Sequence, residues 1–83
     1  MLLENKTNFT SDEIPATAPR DVFVAVDSSD AVATAEIHLK RPDGVFRTYP
    51  DLIVPANTIS LLTIPPSDWK IVITGGPATV ELW

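Results

Sequence analysis

Eight prolines cut this chain of 83 residues into short apolar stretches rich in Val, Ile and Thr. A proline inside a helix removes a backbone hydrogen bond and clashes with the preceding turn, so no long helix can run through such a sequence. The stretches between prolines alternate with period two, and β-branched side chains suit the pleated surface of a strand. The pattern predicts an all-β chain, a small antiparallel β-sandwich or barrel of roughly six to seven short strands with an extended N-terminal arm.

The strands can be placed from Arg20 onward. In Asp21-Val22-Phe23-Val24-Ala25-Val26 the three valines share one face and Phe23 with Ala25 the other, so both faces are apolar near the middle. Asp27-Ser28-Ser29-Asp30 supplies turn chemistry. Over residues 31–40, Ala33, Ala35, Ile37 and Leu39 point one way and Thr34, Glu36, His38 and Lys40 the other, the signature of a half-buried antiparallel strand. Arg41-Pro42-Asp43-Gly44 is a turn, and residues 45–49 are expected to return as the hairpin partner. A short piece at Leu52-Ile53-Val54, a strand over residues 59–64, an alternating strand over 69–74, the Gly75-Gly76-Pro77 turn and a final strand over 78–83 complete the series.

Residues 1–19 read as the arm, separate from a β-sandwich domain of residues 20–83. Pro15 and Pro19 bias the residues before them toward extended backbone. Fully stretched, such a segment spans about 60 Å and reaches a neighbouring subunit. Its apolar side chains Leu2, Leu3, Phe9 and Ile14, together with Tyr49 and the terminal Trp83, are the candidate interface residues.

A domain of this size has a thin stability margin, and with no cysteine it has neither disulfides nor thiolate metal sites. Oligomerisation or docking on a larger body is the remaining reinforcement, so a homo-oligomer is expected. Eleven acidic against six basic residues give a net charge of −5. That balance, with the basic residues scattered apart from Lys40-Arg41, argues against nucleic acid and against an anionic membrane surface. The N-terminus lacks the pattern of a signal peptide, and no run approaches the ~18 apolar residues of a membrane span. A cytoplasmic site of synthesis is expected, which makes the glycosylation sequons at Asn5 and Asn8 accidental.

The catalytic inventory is small. His38 is the only histidine, and it falls on a polar strand face between Glu36 and Lys40, with no G-x-S-x-G elbow in the chain. Asp27-Ser28-Ser29-Asp30 offers oxygen ligands but lacks the glycine and distant glutamate of an EF-hand loop. Gly75-Gly76-Pro77 lacks the Lys-Ser/Thr of a phosphate loop. No catalytic, metal or cofactor-binding residue is assigned. Tyr49, Trp69 and Trp83 would form a carbohydrate-stacking platform if all three were exposed, whereas Trp69 beside Ile71 and Ile73 is expected to fill the core.

In general style the chain resembles the small virion proteins of tailed bacteriophages, in particular head decoration or cement proteins. The resemblance rests on a short, acidic, cysteine-free β chain, an extended N-terminal arm, segments such as Leu52-Ile53-Val54-Pro55-Ala56-Asn57-Thr58, and a strand running to the final residue. It implies a non-enzymatic virion protein, assembled in the host cytoplasm, that binds the major capsid protein or another virion protein and reinforces the particle. No functional residue carries over from it. The alternatives are a tail or neck component of the same particle and a small carbohydrate-binding module.

Overall fold

A computed structural model describes all residues, Met1–Trp83. It holds nine strands: β1 (Leu2–Lys6), β2 (Phe9–Thr10), β3 (Arg20–Asp27), β4 (Thr34–Lys40), β5 (Phe46–Arg47), β6 (Ile53–Pro55), β7 (Thr58–Ile64), β8 (Trp69–Thr74) and β9 (Ala78–Leu82). They form two antiparallel sheets packed as a β-sandwich. One has the order β1-β9-β3-β7; the other has the order β2-β8-β4, with β5 and β6 pairing with opposite ends of β4.

Period-two alternation decides which side chains meet between the sheets. Val22, Val24 and Val26 of β3 are fully buried and face Ala35, Ile37 and Leu39 of β4 and Ile71 and Ile73 of β8 across one apolar core. Seventeen residues are buried and none is polar, so the core contains no side-chain group that demands a partner apart from the indole of Trp69. Each fully buried Val or Ile contributes roughly 1.5–3 kcal/mol by leaving water.

Several of the prolines and positive-φ residues stand where the chain changes sheets, while Pro42, Gly44 and Pro50 turn it within the β4 sheet. Gly75 (φ +84°) and Gly76 (φ +146°) turn β8 into β9, and a Cβ on Gly75 would collide with the Val32 carbonyl. Asn57 (φ +61°) turns β6 into β7, a conformation its short polar side chain tolerates. Its side chain accepts from the Ser28 N–H at 3.1 Å and donates to the Ser28 carbonyl at 3.0 Å, while the Ser28 hydroxyl donates to the Pro77 carbonyl at 2.6 Å. Three corners of the sandwich are thereby tied through Ser28.

Residues 20–83 supply seven strands, but the segment before them is not an arm reaching away from the body. It is extended, yet its strands complete both sheets of its own chain. β1 pairs with β9, and β2 pairs with β8. The Met1 amino group donates to the Leu82 carbonyl at 2.8 Å, and the Leu82 N–H returns a bond of 2.8 Å to the Met1 carbonyl. Further on, Ile14 and Trp69 exchange reciprocal backbone bonds of 2.7 and 3.0 Å. The physical reason is that β8 and β9 are apolar on their inner side and open at one edge. Leu3, Phe9 and Ile14 cover that side while their backbone satisfies the open ladders. Asn5 (φ +49°), beside a register shift in β1, and Asn8 (φ +47°) make the crossing between sheets, so both sequon asparagines serve the backbone here.

Smaller differences concern strand ends. Strand β4 begins at Thr34 because residues 31–33 close a turn in which the Ala33 N–H donates to the Asp30 carbonyl. Of residues 45–49 only Phe46–Arg47 pair with β4, because Pro50 starts a 3₁₀ turn (Pro50–Leu52) that buries Leu52. Within the Arg41–Gly44 turn, Asp43 accepts from the Val45 N–H at 3.0 Å and from Arg47 at 3.2 Å. The Val45 bond, followed by the charge of Arg47, holds the Asp43 carboxyl below its ordinary range.

Two outcomes are expected. Trp69→Ala should lose about 3–5 kcal/mol in denaturant unfolding, and Trp69→Phe much less because it also removes the unpartnered N–H; an unchanged midpoint for the alanine variant contradicts the core placement. Because Asp43 has a depressed folded pKa, the stability of its turn is present above the unfolded value and disappears as pH falls through the lower folded one. The amide resonance of Val45 should therefore titrate at a pH below that of an ordinary aspartate, and Asp43→Asn should abolish the titration.

Candidate functional site

The outer faces of the two sheets differ in chemistry. On the β4 sheet the outward side chains are mostly polar, with Ile53 an exposed apolar one among them. His38 Nε2 lies 2.9 Å from Glu36 Oε1, both half-buried, and the Lys70 ammonium stands 4.3 Å from the Phe46 ring centre. No hydroxyl bonds to His38, so the imidazole has a carboxylate beside it and no nucleophile to activate. A cleft of about 580 Å³ runs between Lys40-Arg41-Pro42 and Pro65-Pro66, but its one hydroxyl, on Ser67, donates to the Lys40 and Asp68 carbonyls. No group of three or more His, Asp or Glu converges on a point where a metal would sit.

The outer face of the β3 sheet is apolar. Strand register aligns two rows across it. Trp83, Phe23 and Leu61 form one, with Phe23 and Trp83 joined by reciprocal backbone bonds of 2.8 and 3.1 Å. Leu2, Glu81, Ala25 and Ile59 form the next. The rings of Phe23 and Trp83 stack with centroids 5.6 Å apart and planes 21° from parallel. Ile59 is 66% exposed, Leu61 56%, Leu2 and Trp83 53% each, and Phe23 42%. Together their exposed parts amount to roughly 500 Å² of apolar surface, within the ~300–600 Å² of the largest patch on a typical monomer, which is often functional.

Carboxylates border this patch. Asp21 lies at one end, accepting from the Thr63 hydroxyl at 2.9 Å, Asp27 lies at the other, and Glu81 stands within the second row. None of the residues in these rows is Lys or Arg. The face is therefore greasy at its centre and negative around it.

The sequence-derived interface residues meet three fates. Leu2 and Trp83 lie on the apolar outer face. Leu3, Phe9 and Ile14 are used inside the chain, packed against its own core. Tyr49 sits at the end of the β4 sheet, where its hydroxyl accepts from Arg41 Nη1 at 2.6 Å. Trp69 is 2% exposed, so the three-ring carbohydrate platform does not assemble. Phe23, Ile59 and Leu61 carry the patch without having been singled out from sequence. The available signal was the second apolar face of β3, together with the alternate positions Ile59 and Leu61 in a strand whose other phase fills the core.

Comparison with protein-family models, with curated proteins and with solved structures returns no match.

Because Trp83 lies on the exposed face, Trp83→Ala should unfold cooperatively with a loss of about 1 kcal/mol, the size of an aromatic pair interaction. Non-cooperative melting of that variant would instead make Trp83 part of the core.

Proposed function

We propose that this chain is a non-enzymatic structural protein of a virion, one that decorates and stabilises a phage capsid through protein–protein contacts across the outer face of its β3 sheet. The observation that carries the reading is the row Trp83-Phe23-Leu61 with Ile59 beside it, an apolar surface assembled from three strands and left uncovered by the chain. Large aromatic side chains clustered at the centre of a patch are what energetically dominant interface residues look like. The acidic border selects the occupant: a lattice subunit presenting an apolar surface bordered by Lys or Arg, which Asp21, Asp27 and Glu81 would steer into register.

The small chemical inventory supports the same reading. The single histidine is held by Glu36, and the Ser28 and Ser67 hydroxyls are engaged with backbone carbonyls. A short sandwich with a large outward apolar face suits a part that is completed by its neighbours.

Co-sedimentation with purified capsids of the particle concerned tests this. The wild-type chain should pellet with capsids, and Phe23→Ser combined with Leu61→Ser should weaken binding more than about tenfold, equivalent to ~1.4 kcal/mol. Glu36→Ala on the opposite sheet should bind as wild type does. A folded chain indifferent to capsids, or equal binding by all three proteins, contradicts the proposal.

A further inference from the structure

The sandwich exposes several strand edges, and all but one carry a device that discourages pairing with another chain. Strand β1 has a register shift, a positive-φ Asn5 and the charges of Glu4 and Lys6. Strands β2 and β5 are two residues long, and β6 is three residues long and ends at Pro55. Strand β7 differs from all of them. It pairs with β3 through seven consecutive residues without a shift, contains no charge, proline or glycine, and has no strand on its other side.

We propose that the free edge of β7 pairs antiparallel with β7 of a second copy of this chain, making a two-fold dimer with one continuous eight-stranded sheet. An antiparallel strand can pair with itself about a two-fold axis, which gives the self-complementary interface most homodimers use. The midpoint of Thr58–Ile64 is Leu61, so a register centred there sets Leu61 beside its own mate and Ile59 beside Thr63 of the partner. Outward N–H and C=O groups of β7 would gain partners, and the inner face would keep its alternation across the seam.

Charge favours this edge-on contact over self-association face to face. Stacking the outer faces of two copies would bring Glu81, Asp21 and Asp27 of one chain near those of another, with no cation in the rows to offset them. Edge pairing joins uncharged strands. It keeps the nearest opposing carboxylates, on β3 of each copy, about 14 Å or more apart at the ~4.8 Å spacing of strands. That separation exceeds the ~8 Å over which exposed charges interact at physiological salt.

The geometry also bears on docking, though the dimer does not rest on it. A two-fold axis normal to the sheet leaves both Trp83-Phe23-Leu61 rows facing the same way. Such a dimer would present two docking faces to one lattice, and the second contact would form at high effective concentration.

Three measurements on the whole chain test the dimer. Sedimentation equilibrium from micromolar to millimolar concentration should show the apparent mass rising from 9.0 kDa toward twice that value. Over the same range, hydrogen exchange at alternate amides of β7 should slow, and those of β1 should not change. Since the chain has no cysteine, Leu61→Cys should oxidise to a covalent dimer at least about tenfold faster than Val45→Cys, because directly opposed residues lie ~5 Å apart at Cβ. A monomer at every concentration overturns the proposal, as does a dimer whose β7 amides stay unprotected or equal oxidation of the two variants. Capsid binding by a strictly monomeric chain would overturn the dimer alone and leave the docking face standing.

Discussion

Strand β3 is apolar on both faces, and its own chain covers only one of them. Val22, Val24 and Val26 anchor the core, and the same strand pairs on both sides, with β9 and with β7. A strand flanked on both sides and apolar on both faces near its middle is suited to being covered on both. The fold depends on the inner face of β3, and the proposed function depends on its outer face. One eight-residue segment therefore links stability to the proposed association, because Phe23 and Ala25 stand between the valines that hold the sheets together.

Closure of the sandwich follows from a second constraint. An all-apolar core of this size is safe only if its open edges are sealed, and with no disulfide the chain seals them with backbone. Residues 1–14 do this twice, adding β1 to β9 and β2 to β8, with Ile14 clasping Trp69. The rim left over is unequal. Short, bulged or charged strands end three of the four sides, and a long uncharged one ends the fourth. The asymmetry of edges and the asymmetry of faces meet at β7, which contributes Ile59 and Leu61 to the patch.

Much of the sandwich was legible from the residues. The alternation of β4, β8 and β3, the turns at Gly44 and Gly75-Gly76, and the core position of Trp69 all follow from local pattern, because each depends on side chains within a few positions of one another. The fate of residues 1–19 was not legible. Whether Leu3, Phe9 and Ile14 cover their own sheets or a neighbour's depends on which edges remain open, a property of topology that no local window contains. The patch was half legible: Trp83 and Leu2 were named as interface residues, and the double-faced apolar character of β3 was visible. That Leu61 and Ile59 join Phe23 could be known only once β3 and β7 were paired in register.

Under the proposed function, the outer face of the β3 sheet is covered in the assembled protein and bare in the free one. Hydroxyl-radical footprinting of side chains, carried out on the isolated chain and on the chain within its particle, reads this directly. Oxidation of Phe23, Ile59, Leu61 and Trp83 is predicted to fall severalfold on assembly, while Lys70 and His38 on the other sheet keep their reactivity. Protection confined to the His38 face, with Trp83 and Leu61 as reactive in the particle as in solution, would contradict it.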